Sequence, residues 1–527
     1  MAHGQRCYRD FYLQYGPLSP YLFFVSGRPL DYSHLWFTLV NWVPAILAGV
    51  LLVRASRPLL SFIERLVVVG LLIGLSIFAP GAARLVLPYS PAAVHALALA
   101  VGAFLLMQSR ERELPRAWVA GILAGLALCA KQEIGVAAIL GLSAPLLTRG
   151  TRGLAWVTRC VAGFLAIALL GAAVVLASGA STDSLRQDSH LFPLASVPHE
   201  WKWLFRIVAG MTAGWQDYLA LSARQLTKLI LLGSLGALIL AREKKRSRWA
   251  WTIGLLALIS AVDLMEGRSL LPEIRPVNLS MLVAFLVATL AWLDRERPKR
   301  DFLVGFGLFA GLAGMRTAFS GDIAVPYAGV AHFASSLTWV LFFSCLLPYR
   351  FPGGVVSARR ARTIWVALLF PVAFYVAANG IQQLRVEGRR PVSTSRGRIF
   401  LEHRMAHIYA RVKGELHPGE RALFLPETHG LDVLLRVEDA SPLLGHMPGW
   451  LDPRAEDALI RRFEIRAPDV IVIIERATTE FGVPPFGRGF GLKLAAWIDA
   501  HYRPTMTSPT VRILRPTRKP LSSVPVF

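Results

Sequence analysis

Long apolar runs separated by short polar loops dominate the chain up to about residue 380. Twelve of these runs approach the roughly 20 residues that an α-helix needs to cross a hydrocarbon core. The candidate spans cover residues 35–53, 66–81, 91–108, 117–131, 133–148, 160–178, 219–241, 249–265, 277–293, 302–318, 331–347 and 363–380. The pattern therefore predicts a polytopic α-helical membrane protein with about 12 spans.

Basic residues gather in every second loop between these runs. They are Arg54, Arg57, Arg65, Arg110, Arg112, Arg116, Arg149, Arg152, Arg159, Arg242, Lys244, Lys245, Arg246, Arg248, Arg295, Arg297, Lys299, Arg300, Arg350, Arg359, Arg360 and Arg362. Loops rich in Lys and Arg stay in the cytoplasm. The alternation therefore predicts that the N-terminus, the loops 179–203 and 266–276, and the C-terminus lie outside the cytoplasm.

The stretch 117–148 fits either one long helix or a hairpin of two short ones. One helix would put the basic loops on its two sides in different compartments, whereas a hairpin keeps both in the cytoplasm. We therefore predict a hairpin, with Lys131, Gln132 and Glu133 at its tip near the outer face.

Composition supports a membrane protein. The 527 residues are 54% hydrophobic and 17% charged, and the mean hydropathy is +0.47. A net charge of +23 can indicate a nucleic-acid partner. Here the positions of the basic residues indicate anionic lipid instead, and no nucleic acid is expected. The spacing of the four cysteines suggests neither a disulfide framework nor a zinc site.

The composition changes near residue 385, where the apolar runs end. The pattern predicts a helix at 398–414, a strand at Arg421–Pro426, a helix at Pro453–Ala467 and a buried strand at Asp469–Glu475. A helix at about 490–501 and a strand at Thr510–Leu514 follow. The chain is therefore predicted to have three parts: an extracytoplasmic loop (1–34), a transmembrane helical domain (35–384) and a small extracytoplasmic α/β domain (385–527).

Charged side chains at membrane depth are the first candidates for chemistry, because each costs roughly 2.5–3.5 kcal/mol on insertion scales. Lys131 and Glu133 are either a pair that neutralises itself or a phosphate-binding lysine at the base of an outer cavity. Arg268 and Arg275 are either ordinary interfacial charges or a two-pronged phosphate grip. The His and acidic residues of the loop 179–203 match no strong metal-ligand spacing.

Several segments resemble one enzyme family. Gly4–Leu22 (GQRCYRDFYLQYGPLSPYL), Gly125–Glu133 (GLALCAKQE) and Pro272–Leu282 (PEIRPVNLSML) are similar, in this order, to motifs of bacterial GT-C glycosyltransferases. These enzymes use polyprenyl-phosphate sugars and are related to the protein O-mannosyltransferases and to the aminoarabinose transferase of lipid A. Leu425-Pro426-Glu427 and Pro485-Phe486-Gly487 resemble their outer domains.

The resemblance implies transfer of a sugar from a polyprenyl-phosphate donor to an acceptor at the outer face of the cytoplasmic membrane. The acceptor can be a protein, a lipid or a polysaccharide, and a divalent metal is possible. A carboxylate would activate or position the acceptor hydroxyl, with Asp10 in the corresponding loop. Lys131 with Arg268 or Arg275 would stabilise the leaving phosphate, and Tyr15 would shape the entrance.

The sequence also departs from this pattern. The family's essential first-loop acid aligns before Met1, so we expect a further helix and that acid upstream in the gene. Val277 and Ser280 stand where relatives often have Asp and His. Two other functions therefore stay open: a transporter or flippase for a lipid-linked or anionic substrate, and a non-catalytic scaffold of an envelope complex.

Overall fold

The computed structural model describes residues 16–30, 33–77, 91–108, 113–182, 277–318, 328–346 and 390–517, with short gaps inside several of these ranges, and scattered helical positions between 362 and 381. The predicted spans 219–241 and 249–265 lie outside the described residues.

Ten helices precede residue 350 in the described part of the chain. They are α1 (Leu18–Gly27), α2 (His34–Ser56), α3 (Phe62–Leu72), α4 (Pro91–Gln108), α5 (Glu113–Ala130), α6 (Gln132–Ser143), α7 (Gly150–Ala177), α8 (Val277–Leu293), α9 (Arg300–Ala318) and α10 (Ala328–Leu341). Short 3₁₀ turns extend α1 (Arg28–Leu30) and α6 (Ala144–Leu146), and π-helical turns extend α3 (Ile73–Ile77) and α10 (Phe342–Leu346).

Within these helices, Thr38–Ser56, Pro91–Gln108 and Gly150–Ala177 are long and apolar enough to cross a membrane. Helix α7 leaves many of its leucine and valine side chains exposed, as lipid contact requires. The chain is therefore a membrane protein.

The hairpin predicted at 117–148 is confirmed. Lys131 is extended (φ −149°, ψ 113°) and separates α5 from α6. Helices α5 and α7 run parallel, because Gly121 lies against Cys160 and, further along both helices, Cys129 lies against Gly171. The chain between them must therefore return through α6, so the beginning of α5 and the end of α6 lie on one side.

The predicted start of one span is wrong. The span predicted at 160–178 begins ten residues earlier, at Gly150, so Arg152 and Arg159 lie on α7 and not in a loop. Long arginine side chains allow this, because their alkyl stems cover apolar surface while the charge stays in water.

Within the segment 1–34, helix α1 covers Leu18–Gly27 and carries apolar side chains at Leu22, Phe23 and Phe24.

Small residues let the membrane helices approach closely. A Cβ atom on Gly141 of α6 would lie 2.5 Å from the Gly305 carbonyl oxygen of α9, and one on Gly305 would lie 2.4 Å from that of Gly141. A Cβ atom on Gly307 of α9 would lie 2.7 Å from the Ala284 carbonyl oxygen of α8. Dispersion contacts and backbone proximity drive helix association in lipid, so these glycines hold α6, α8 and α9 together.

One buried ion pair ties α3 to the helical residues near 362. Glu64 is 1% exposed, and its carboxylate accepts hydrogen bonds from both Nε and Nη2 of Arg362. Arg362 Nη2 also donates to the Leu59 carbonyl at 3.4 Å. Ser61 and Glu64 form a capping box at the start of α3. Glu64 therefore stabilises both its own helix and a contact about 300 residues away in the chain.

The C-terminal domain has strands on two sheets. A hairpin of β1 (Arg390–Thr394) and β2 (Gly397–Leu401) precedes a five-stranded sheet of order β4-β3-β5-β7-β6. The strands of that sheet are β3 (Arg421–Leu425), β4 (Glu438–Asp439), β5 (Val470–Ile474), β6 (Tyr502–Thr507) and β7 (Val511–Pro516). Strands β3, β4 and β5 are parallel, and β6 and β7 add antiparallel pairs.

Four helices cover the two faces of this sheet: α11 (His403–Glu415), α12 (Leu431–Leu435), α13 (Pro453–Ile465) and α14 (Leu492–His501). Leu431 of α12 packs with Ala422 and Phe424 on one face, together with α11. Leu494 of α14 packs on the other face with α13. Because both faces are covered, β3 and β5 are buried along their whole length and read as continuous apolar runs.

The helix predicted at 398–414 is wrong at its start, because residues up to Leu401 form β2. Gly397 (φ 117°) makes the turn that pairs β2 with β1. The strands and helices predicted near 421, 453, 469, 490 and 510 are all present, with ends shifted by one or two residues.

Removing Arg362 should destabilise the protein strongly. Arg362→Ala leaves the Glu64 carboxylate buried without its cation, at a cost of about 3 kcal/mol. We expect a lower midpoint of thermal unfolding in detergent for Arg362→Ala than for Arg57→Ala, which removes an exposed arginine.

Adding Glu64→Gln to Arg362→Ala should recover much of that loss, because glutamine is neutral and still fits a capping box. Equal midpoints for Arg362→Ala and the double variant would contradict the burial argument.

Candidate functional site

The break between α5 and α6 places a charged side chain inside apolar surroundings. The Lys131 side chain is 1% exposed, and its Nζ lies 3.1 Å from Oε1 of Glu133, whose side chain is 27% exposed. Lys131 occupies the N-cap position of α6 without a side-chain capping hydrogen bond, at the positive end of the helix dipole. A buried lysine paired with a partly exposed glutamate therefore lies at a helix amino end.

The beginning of α1 packs against this break. A Cβ atom on Gly16 would lie 2.0 Å from the Cys129 carbonyl oxygen, two residues before Lys131. Only glycine allows the backbone this close. On the other side of the break, a Cβ on Gly135 would lie 2.3 Å from the Leu128 backbone. The end of the GQRCYRDFYLQYGPLSPYL segment and the Lys131 hairpin therefore form one packed unit.

A buried histidine fixes α1 in this place. His95 of α4 lies within hydrogen-bond distance of the Val40 carbonyl through Nε2, at 3.2 Å, and of Ser19 Oγ through Nδ1, at 2.9 Å. The carbonyl can only accept, so Nε2 carries a proton, and in the neutral imidazole Nδ1 then accepts from the Ser19 hydroxyl. Phe23 of α1 adds an edge-to-face contact with Trp36, with ring centroids 5.2 Å apart.

A second buried polar cluster lies between α8 and α10. Ser280 Oγ accepts a hydrogen bond from Trp339 Nε1 at 3.0 Å and lies 3.0 Å from His332 Nδ1. The His332 carbonyl accepts from Ser336 Oγ at 2.7 Å. Ser280 is therefore the centre of a hydrogen-bond network between α8 and α10.

The structure brings together two of the predicted site residues, Lys131 and Glu133. Asp10, Tyr15, Arg268 and Arg275 lie outside the described residues.

Sequence reasoning missed His95 and His332, although a polar, ionisable side chain in an apolar run was a usable signal. In the described ranges no group of three or more His, Cys, Asp or Glu could hold a metal ion.

The C-terminal domain carries a further polar cluster where its parallel strands end. Arg476, just after β5, forms an ion pair with Glu427, just after β3. Next to them, the His446 backbone N–H donates to the Pro426 carbonyl at 2.7 Å. The His446 ring is fully buried, with Nε2 at 2.7 Å from Ser441 Oγ.

Burial sets the protonation of this cluster. It lowers the pKa of His446 to about 4, against a smaller opposing effect of the Phe424 backbone, so the ring is neutral at pH 7. Burial also raises the pKa of Asp439 to about 7, although its carboxylate accepts a hydrogen bond from the Ser441 backbone N–H at 2.9 Å.

The two regions differ in what they can bind. The Lys131 region offers a cation in a low-dielectric setting, which suits a phosphate carried at membrane depth. The strand-end cluster of the C-terminal domain offers paired donors and acceptors, which suit hydroxyl groups.

No protein-family model and no curated protein matches the chain. Several solved structures are similar to the chain. ArnT from Cupriavidus metallidurans bound to undecaprenyl phosphate is 11% identical, with 95% of this chain and 88% of that chain covered and a TM-score of 0.48. The same protein in the apo state is 12% identical over the same shares, with a TM-score of 0.42.

The archaeal oligosaccharyltransferase AglB from Archaeoglobus fulgidus, in complex with an inhibitory peptide and a dolichol-phosphate, is 13% identical. The match covers 97% of this chain and 67% of the AglB chain, with a TM-score of 0.38. ArnT and AglB are both GT-C glycosyltransferases, the class that the sequence resembles. At TM-scores of 0.38 to 0.48, these matches assign neither residue roles nor activity.

The packing of α1 on the hairpin predicts that Gly16→Ala destabilises the protein. The new methyl group would meet the Cys129 carbonyl, so α1 must move away. We expect a lower midpoint of thermal unfolding. Gly49→Ala is the matched control, because nothing lies within 4 Å of a Cβ at that helical glycine. That control should be neutral or stabilising by up to about 1 kcal/mol. A Gly16→Ala protein as stable as wild type would contradict the contact.

Proposed function

We propose that the chain is a membrane glycosyltransferase that moves a sugar from a polyprenyl-phosphate donor to an acceptor at the outer face of the cytoplasmic membrane. The observation that carries the proposal is the buried Lys131 at the amino end of α6, packed beside the end of the first-loop segment. A lysine in this setting costs free energy unless it meets an anion, and the donor phosphate is such an anion.

The reaction needs little proton transfer at the leaving group. The acceptor oxygen forms a bond to the anomeric carbon while the bond from that carbon to the phosphate oxygen breaks, and the polyprenyl phosphate leaves as a dianion. Its developing charge needs a cation in a site of low dielectric, which is the role assigned to Lys131. A carboxylate takes the acceptor proton. Asp10 lies in the corresponding loop, although the essential acid of the family aligns before Met1.

Glu133 has a different role in this proposal. It holds the Lys131 ammonium in place when no donor is bound, at 3.1 Å. Because its side chain is 27% exposed, it can turn to water when the phosphate arrives. The Lys131–Glu133 ion pair is then the arrangement of the empty site, in which the two charges neutralise each other. Binding of the donor phosphate breaks this ion pair.

Arg268 and Arg275 complete the proposal as further phosphate ligands. Their role rests on the sequence alone, on the two-pronged geometry that a guanidinium offers to phosphate.

The test is to measure binding of undecaprenyl phosphate to the purified full-length chain in nanodiscs. We expect Lys131→Ala to weaken binding by about 10- to 100-fold, the value of one charge-assisted hydrogen bond. Transfer from a polyprenyl-phosphate sugar should be lost as well. Glu133→Gln, which removes the competing carboxylate, should bind the lipid as tightly as wild type or more tightly.

Three controls make this result specific. Lys413→Ala removes an exposed lysine of α11 and should leave binding unchanged. Undecaprenol, which lacks the phosphate, should bind wild type and Lys131→Ala equally. The double variant Lys131→Ala with Glu133→Gln excludes an effect of the unpaired glutamate. Wild-type lipid affinity in a folded Lys131→Ala protein would overturn the proposal, and lipid binding without consumption of any sugar donor would favour the flippase.

A further inference from the structure

The hairpin of β1 and β2 lies beside a membrane-spanning helix. Strand β2 contacts α2, whose residues Thr38–Ser56 are long and apolar enough to cross a membrane. A two-stranded hairpin has unpaired backbone groups along both of its edges, and such edges do not occur in contact with lipid inside the hydrocarbon region. The hairpin therefore lies at the membrane surface, at the level of the headgroups.

One face of this hairpin is packed and the other is open. Val392 and Leu401 pack against the core that α11 shares with the five-stranded sheet, and both strands contact α11. Successive side chains of a strand point to opposite faces. On the other face Phe400 is paired with Pro391, and both residues are exposed. Arg398 lies on this open face too, two residues before Phe400, and is also exposed.

Phe400 is 63% exposed, close to the 58% of Val43 and the 59% of Ile46 in the membrane span of α2. Among the phenylalanine and tryptophan residues that the structure describes between 390 and 517, Phe400 alone is this exposed. A single exposed apolar side chain on a surface in water needs no special explanation. Phe400 differs because it lies beside a spanning helix with an arginine on the same face, the combination that interfacial segments show.

The hairpin is also positively charged. Its strands read RPVST and GRIFL, with Arg390 and Arg398 and without an acidic residue. Both arginines are exposed, and within the described ranges neither guanidinium forms an ion pair. The open face therefore suits an anionic partner that also accepts an aromatic ring.

We propose that the open face of this hairpin binds the anionic lipid surface beside α2, with Phe400 in the interfacial layer and Arg398 on a lipid phosphate. The alkyl stem of an arginine can lie along apolar surface while its guanidinium reaches a phosphate. Arg390 adds a second positive charge near that surface. The contact anchors the C-terminal domain to the membrane.

The charges favour lipid over a second copy of the chain. A two-fold symmetric contact through this face would place Arg398 of one copy near the same residue of the other, and like charges repel. A bilayer that contains anionic lipid offers phosphate groups and an apolar boundary together, at the place where β2 meets α2.

The first test measures how close position 400 lies to lipid in the full-length chain. Phe400→Cys is labelled with the small apolar fluorophore NBD and placed in nanodiscs of phosphatidylcholine and phosphatidylglycerol. Some of the phosphatidylcholine carries a nitroxide near the top of its acyl chain. We expect this lipid to quench the label, because the ring position lies at the boundary of the acyl chains. Wild type treated in the same way gives the contribution of the native cysteines, which is subtracted.

Ile465→Cys is the matched control. Ile465 is 89% exposed at the end of α13, which packs on the sheet face opposite to α11 and the hairpin. Its label should be quenched by iodide in the water and not by the nitroxide lipid. If the nitroxide lipid quenches the label at 400 no more than the label at 465, the lipid contact is overturned.

The second test measures the contribution of Arg398. Raising the fraction of phosphatidylglycerol should increase the quenching at position 400 until it saturates. In Arg398→Gln the fraction that gives half of this increase should rise about fivefold, the effect of one arginine near an anionic surface. Arg461→Gln removes an exposed arginine of α13 and should leave that fraction unchanged. Equal fractions in Arg398→Gln and in the protein with Arg398 would overturn the phosphate contact.

Other occupants of the open face give different results. A label at 400 that neither the nitroxide lipid nor iodide quenches lies against protein, which would overturn the proposal in favour of a partner protein or a second copy. Quenching by iodide alone would place the face in water and would overturn it as well. None of these measurements uses undecaprenyl phosphate, so the outcome is independent of donor binding at Lys131.

Discussion

The free-energy cost of a lysine among apolar helices is the constraint on which the membrane part depends. The helical hydrogen bonding of 113–143 is interrupted at Lys131, and the interruption gives the ammonium a carboxylate at 3.1 Å and a helix amino end beside it. A continuous helix through this position would have placed the same charge against lipid or apolar side chains. The Glu133 carboxylate reduces the cost of the buried ammonium, whereas the positive amino end of α6 opposes that charge and favours a further anion beside it.

The surrounding contacts hold that site at fixed geometry. Gly16 brings α1 onto the last turn of α5, and the hydrogen bonds of His95 to Ser19 and Val40 prevent α1 from sliding. Close glycine contacts between α6 and α9 support the hairpin from behind. Since no single contact here is strong in lipid, rigidity comes from their number and from the short distances that small residues allow.

The sequence predicts an element correctly where one strong local effect, such as charge or continuous apolar character, determines the structure. The positions of basic residues predict the hairpin at 117–148, and a continuous apolar run predicts the buried strand β5. It failed where the deciding contact joins distant residues. The place of α1 depends on Gly16 meeting Cys129, and the role of Ser280 depends on His332, 52 residues later. Helix α7 is longer than the sequence pattern predicts, because Arg152 and Arg159 lie on its surface and not in a loop.

The most direct measurement is the position of the donor lipid phosphate, determined by cryo-electron microscopy of the full-length chain with undecaprenyl phosphate in nanodiscs. We expect phosphate density about 3 Å from Lys131 Nζ, the distance of a charge-assisted hydrogen bond. We also expect the Glu133 carboxylate to have turned away from the ammonium. Lipid phosphate bound elsewhere, with Lys131 still paired to Glu133, would contradict the proposed role of Lys131.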